Sequence, residues 1–201
     1  MHPTNRSSRR PNRIKDFDYS AVGYYFITIT VQNRICLFGK VVDGRMILND
    51  AGNMVNTIWN GIPKYYNVAD INPYQIMPNH LHGIIQLAGV GEGPRVLPAT
   101  NTLPYVKQKP IKQTPCQPLH GRTRGPSPTI TIPEIICRFK TLTTRRYING
   151  VNNENWAPFH NHLWQRSFYE HIIRNYHEMV KISQYICNNP KTWQHDPLFH
   201  L

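Results

Sequence analysis

His80-Leu81-His82 sets two imidazoles two residues apart, and on a β-strand such positions share one face, so the pair can converge on one metal ion. With 10 histidines in the chain the pattern is weak by itself, and His160-Asn161-His162 repeats it. Either triplet taken alone also reads as a surface or packing feature. Context separates them: Leu81 is apolar and Gly83-Ile84-Ile85-Gln86-Leu87 continues a strand, whereas the second triplet sits in a polar segment after Pro158. Tyr185 and Asn189 are the other candidates, four residues apart and hence on one side of a helix. A phenol is a latent nucleophile and a carboxamide oxygen a metal ligand. The same residues also fit a core tyrosine and an asparagine that ends a helix before Pro190.

These residues need a rigid frame. The run VGYYFITITV, 22–31, is dense in β-branched and aromatic residues and predicts a strand, and LFGKVVDGRMIL, broken at Asp43-Gly44, predicts a hairpin. Asn49 or Asp50 can cap a helix in which Met54, Val55, Ile58 and Trp59 recur at helical spacing, stopped at Gly61-Ile62-Pro63. Residues 74–77 and 81–87 predict a second strand pair turning at Pro78-Asn79. A helix is expected from Pro133 to Ile148, ended by Asn149-Gly150, then a strand-like piece in LWQRSFYEHII, then a last helix over 175–188. Antiparallel strands interleaved with helices predict an α+β fold with a ferredoxin-like (RRM-like) sheet in a single domain.

Length and composition bound the rest. A chain of 201 residues is one domain with extensions, and 23 Lys plus Arg against 11 Asp plus Glu give a net charge of +12, which predicts a polyanionic partner. The 40% apolar and 11% aromatic content excludes a disordered basic tail. No apolar run approaches the ~18 residues of a membrane span and the N-terminus lacks the apolar stretch of a secretory signal, so a cytoplasmic, nucleoid-associated protein is expected. Cys36, Cys116, Cys137 and Cys187 stand far apart and read as reduced thiols. Residues 1–18 read as a flexible basic arm, 19–193 as the folded domain and 194–201 as a tail. A basic loop insertion at 89–133 holds 9 of the 17 prolines.

The pieces YYFITITVQNR, YQIMPNHLHGII, FKTLTTRR, LWQRSFYEHIIRN and YICNNP, in this order, resemble the single-tyrosine HUH transposases (IS200-like), in their REP-associated tyrosine transposase branch. The resemblance spans most of residues 22–190 and departs from the family in the 89–133 insertion and in the short stretch after Trp193. It implies a ferredoxin-like sheet, a divalent ion held by His80, His82 and Asn189, and Tyr185 as the nucleophile that cleaves single-stranded DNA. Partners would be single-stranded DNA, at hairpin-forming repeat ends, with the protein acting as monomer or homodimer. Tyr169, beside Phe168 and near His171, is the competing nucleophile.

Such chemistry needs what these residues offer. A phosphodiester repels anionic nucleophiles and a phenol of pKa about 10 is protonated at neutral pH, so charge must be neutralised at the scissile phosphate. Two imidazoles and an amide suit Mg2+ or Mn2+, with zinc also able to bind. The product would be a 5′-phosphotyrosine with a free 3′-hydroxyl, from which strands can be rejoined. DNA contacts are expected from Arg138, Lys140, Thr141, Thr144 and Arg145 on the polar side of the 133–148 helix, and from Arg166 and Lys181. Trp164, Phe168 and Tyr169 offer stacking surfaces or core packing. The rival functions are a non-catalytic single-stranded nucleic-acid-binding module and a nickase of the same class that does not transpose.

Overall fold

The strand predicted at 22–31 is β1 (Gly23–Thr30). A hairpin follows, β2 (Gly39–Val42) and β3 (Arg45–Leu48), and its turn residues Asp43 and Gly44 both take positive φ, as a two-residue turn between twisted strands requires. This computed structural model describes residues 22–67, 69–88 and 130–199. The predicted arm at 1–18 lies outside the described residues, as does residue 89–129 of the predicted insertion. Residues 130–133 are described, and Ile132 and Pro133 already belong to a helix.

Helix α1 (Asp50–Asn60) starts where Asn49 Oδ1 accepts from the Gly52 amide at 2.9 Å, and a short α2 (Ile62–Tyr65) carries Pro63 in its first turn. Strands β4 (Ala69–Ile76) and β5 (His80–Leu87) form the second predicted pair. Helix α3 (Ile132–Asn153) opens on a capping box between Thr131 and Glu134. It runs past Asn149-Gly150, where the sequence predicts its end. The glycine serves packing instead of termination, because a Cβ on Gly150 would stand 2.3 Å from the Trp156 ring. Strand β6 (Tyr169–Ile173) and α4 (Tyr176–Asn188), capped by Asn175, complete the fold before a 3-10 segment, Asn189–His195.

The four-stranded sheet has the order β4-β5-β1-β6 with every pair antiparallel, which is the expected α+β architecture. Its edge strand β4 breaks register between Ile71 and Tyr74, where Asn72-Pro73 intervenes, a place where a residue without an N–H costs no ladder bond. Strands β1 and β5 are interior and buried on both sides. Tyr25, Ile27, Ile29, Leu81, Ile85 and Leu87 face α1 and α3, meeting Val55, Trp59, Ile135 and Phe139 in the main core. Phe26, Ile84 and Ile173 face the other way and meet Met179 and Ile186 of α4 in a smaller cluster. Alternation along β1 and β5 therefore puts Thr28, Thr30, His80 and His82 on the α4 side.

Candidate active site

His80 and His82 begin β5 at an interior position of the sheet, and both are buried. Their ring centroids are 4.4 Å apart. Register pairs Thr28 with His82, and Thr28 Oγ1 and His82 Nδ1 share a hydrogen bond of 2.8 Å. Phe26 stacks on the same imidazole at 5.5 Å between centroids. His80 is fixed by its neighbour: Asn79 Nδ2 donates to the carbonyls of Arg34 and Leu198, both at 2.9 Å, which leaves Asn79 Oδ1 as the acceptor facing His80 Nδ1 at 2.8 Å. An amide oxygen can only accept, so the proton of His80 sits on Nδ1 and the lone pair on Nε2.

Burial holds both imidazoles far below the usual histidine range. His80 is lowered to about 3 by desolvation, with the Asn189 carboxamide acting in the opposite sense although the two fall outside hydrogen-bond geometry. His82 is also lowered to about 3, first by burial and then by His80, against an upward pull from Asp196. Both are therefore neutral at pH 7, each with a lone pair on one ring nitrogen.

Helix α4 and the 3-10 segment supply the opposing wall. Tyr185 Oη lies 3.2 Å from His82 Nε2 and 3.4 Å from Asp196 Oδ2, and the phenol is 42% exposed, so one edge is open to solvent. Its pKa is raised to about 12 by burial and by the Asp196 carboxylate. Asn189 follows one turn later and is buried, with Nδ2 donating to Asp196 Oδ2 at 2.5 Å. That bond fixes the amide's orientation and turns Oδ1 away from the carboxylate. Asn189 Oδ1 and His80 Nε2 are buried side-chain atoms with no hydrogen-bond partner among the described residues.

Two orphaned acceptors at one place are costly unless a cation joins them. His80, His82 and Asp196 each offer a ligand atom within 4.8 Å of the other two. Three donors ~2.1 Å from one ion average at most ~3.6 Å from one another, so the three groups need draw together by no more than about an ångström. The residues present thus fit a divalent ion.

The fold brings Tyr185, Asn189, His80 and His82 together, as their spacing and the resemblance led one to expect. Sequence reasoning missed Asp196, which lies in the stretch read as a tail. Its signal there is slight, one acid seven residues after Asn189. Asn79 and Thr28 lie within the YQIMPNHLHGII and YYFITITVQNR segments, yet only strand register and burial reveal what they hold. Tyr169 is 51% exposed and reaches Phe26 edge-on at 6.0 Å, while its own contact to the imidazoles is made through that ring. The second triplet, His160 and His162, is exposed, with Asn161 at positive φ between them.

The residues expected to touch DNA are dispersed. Helix α3 lies on the opposite face of the sheet from the histidines, so Arg138, Lys140, Thr141, Thr144 and Arg145 do not line the site. Lys140 Nζ donates to the carbonyls of Gln165 at 2.8 Å and Ser167 at 3.0 Å, tying the approach to β6 onto α3. Arg138 stacks 4.8 Å over the Tyr65 ring, and the Thr141 hydroxyl donates back to the Cys137 carbonyl. Arg145, Arg166 and Lys181 are exposed, and Thr144 is half-buried. Of the aromatics, Trp164 is core, Phe168 packs against it and Tyr169 is exposed. Cys36, Cys137 and Cys187 form no disulfide among the described residues, and Cys116 lies outside them. No described helix is long and apolar enough to cross a membrane.

No family model matches the chain. An uncharacterised protein of Haemophilus influenzae is 36% identical over 194 residues, covering 95% of this chain and 93% of its own length. The solved structure of a REP-associated tyrosine transposase bound to a REP hairpin superposes with a TM-score of 0.52 at 16% identity, over 94% of this chain and 91% of that one. A Deinococcus radiodurans structure is more distant, with a TM-score of 0.42 at 14% identity over 88% of this chain and 95% of that one. The chain therefore belongs to one family with the Haemophilus influenzae protein and has the fold of the REP-associated tyrosine transposase.

Proposed function

We propose that the protein is a metal-dependent strand nickase and transferase acting on single-stranded DNA, with Tyr185 as nucleophile and His80, His82 and Asn189 as ligands of a divalent ion, Mg2+ or Mn2+. The observation that carries this reading is the convergence of a half-exposed phenol, 3.2 Å from an imidazole nitrogen, with two buried acceptors that have no partner. A structural tyrosine would leave those acceptors unexplained.

In the reaction, Tyr185 Oη forms a bond to phosphorus while the bond from phosphorus to the 3′ oxygen breaks, leaving a 5′-phosphotyrosine and a 3′-hydroxyl. The phenol holds its proton at neutral pH, because burial and Asp196 both disfavour phenolate. Asp196 Oδ2 stands within reach as an acceptor for that proton, whereas His82 Nε2, at 3.2 Å, would give its lone pair to the ion. When bound, the divalent ion supplies Lewis acidity at a non-bridging phosphate oxygen and offsets negative charge at the leaving oxygen. Thr28 and Asn79 set the imidazole orientations, and Phe26 packs against His82 and, edge-on at 6.2 Å, against Tyr185, so the spacing between nucleophile and ligands is built in. The phosphoester bond energy is kept in the adduct, so attack by a 3′-hydroxyl reverses the step and joins strands, which is what transposition requires.

DNA as partner is supported by the +12 charge and by the hairpin bound to the transposase of similar fold. The test is a denaturing gel after incubation with a single-stranded hairpin oligonucleotide and Mn2+. A covalent protein–DNA adduct is expected for the unaltered chain and for Tyr169→Phe, and none for Tyr185→Phe, which should still shift the hairpin in a native gel. An adduct that survives Tyr185→Phe overturns the assignment.

A further inference from the structure

We propose that Asp196 is a fourth protein ligand of the divalent ion, an inference that rests on reading the site as a metal centre. The carboxylate is 8% exposed. Its Oδ1 accepts from the Leu198 amide at 2.6 Å, and its Oδ2 accepts from Asn189 Nδ2 at 2.5 Å and from the Tyr185 hydroxyl at 3.4 Å. All three donors are neutral, and among the described residues no cationic side chain pairs with it. A full negative charge buried among neutral donors is expensive.

A role in orienting Asn189 explains one hydrogen bond but not the charge, since a neutral amide oxygen would accept that bond equally well. Ligation explains both. Asp196 has an oxygen within 4.8 Å of ligand nitrogens on His80 and His82, beside the orphaned His80 Nε2 and Asn189 Oδ1. A divalent ion there neutralises the carboxylate and gives each orphan a partner. It also makes the donor set harder than two imidazoles and an amide, which favours Mn2+ and Mg2+ over softer ions. The segment that carries Asp196 is held where ligation needs it. Asn79, which orients His80, donates to the Leu198 carbonyl at 2.9 Å, and Arg34 donates to the Pro197 carbonyl at 3.3 Å.

The test is Mn2+ binding to the full-length protein without DNA, followed by the electron paramagnetic resonance signal of the free ion. Asp196→Asn and Asp196→Ala should each weaken binding about ten-fold or more, as losses of metal-site partners do. Affinity of Asp196→Asn within about two-fold of the unaltered chain would overturn the proposal, and because loss of a residue that only positions a ligand also weakens a metal site, the Asp196–ion distance in Mn2+-soaked crystals separates those two roles. Tighter binding by Asp196→Ala would overturn it as well, since the carboxylate would then be an obstacle. Failure of the metal-centre reading is distinguishable, because then His80→Ala and His82→Ala leave Mn2+ binding unchanged. If neither Asp196 variant unfolds cooperatively, crystals of the unaltered protein soaked in Mn2+ decide the matter. An anomalous peak with Asp196 Oδ ~2.2 Å away supports ligation, and a peak on the imidazoles with that oxygen beyond ~3 Å overturns it.

Discussion

The two faces of the sheet are built from the same two strands and do opposite things. Facing α1 and α3, β1 and β5 present Tyr25, Ile27, Ile29, Leu81 and Ile85, closed over by Trp59 and Phe139. Facing α4, the alternate residues are Phe26, Thr28, Thr30, His80, His82 and Ile84, all buried as well, with the polar ones gathered where β5 begins. Burial is therefore no guide to which face is the site. Each face keeps buried polar atoms without a partner, but on the dry, apolar face these are the indole N–H groups of Trp59 and Trp156, whereas on the other two acceptors, His80 Nε2 and Asn189 Oδ1, gather beside a carboxylate.

Substitutions should separate the two faces. The largest effect is expected on the polar one, where His80→Ala or His82→Ala should abolish adduct formation yet leave cooperative unfolding, read side by side in denaturing gels and a thermal melt. Asn189→Ala should reduce the adduct less completely, since water can replace one amide oxygen. His160→Ala with His162→Ala should do little. Equal losses from the two triplets would dissolve the distinction between them.

On the dry face the order reverses. Trp59 is fully buried and packs against Phe139 and Tyr74, so Trp59→Ala should cost ~3–5 kcal/mol of unfolding free energy in a urea titration. Whatever folded protein remains should still bind Mn2+ with unchanged affinity, and a large loss of affinity would show that the faces are coupled.

The smallest effect is expected where α4 meets β6. Glu178 accepts from the Arg174 amide at 2.8 Å and pairs with His171, and these bonds hold its carboxyl below the usual carboxylate range. With the folded pKa below the unfolded value, the contribution is present above about pH 4.5 and lost as pH falls through the folded pKa. Glu178→Gln should therefore lower the melting temperature slightly at pH 6 and flatten its decline at acid pH. A decline identical to that of the unaltered chain would count against the pair.

The sequence by itself determined the element order, the Asp43-Gly44 turn and the candidates on β5 and α4, because alternation and helical spacing are local properties of the chain. It also made Tyr185 and Asn189 share a side, since one helical turn separates them. The end of α3 escaped it: Asn149-Gly150 carries a stop signal, and only the Trp156 ring lying on Gly150 shows that the glycine makes room. The placement of α3 on the far side of the sheet was likewise illegible, since an amphipathic pattern says which side of a helix is buried but not against which face of which sheet. Asp196 is the plainest case. Nothing in its neighbours marks it, and its place beside Tyr185 and Asn189 arises only because the chain turns back after Trp193 and Asn79 catches the Leu198 carbonyl. Long-range contacts of that kind are fixed by the packed tertiary structure, since residues 79 and 198 are far apart in the chain and no local periodicity couples them.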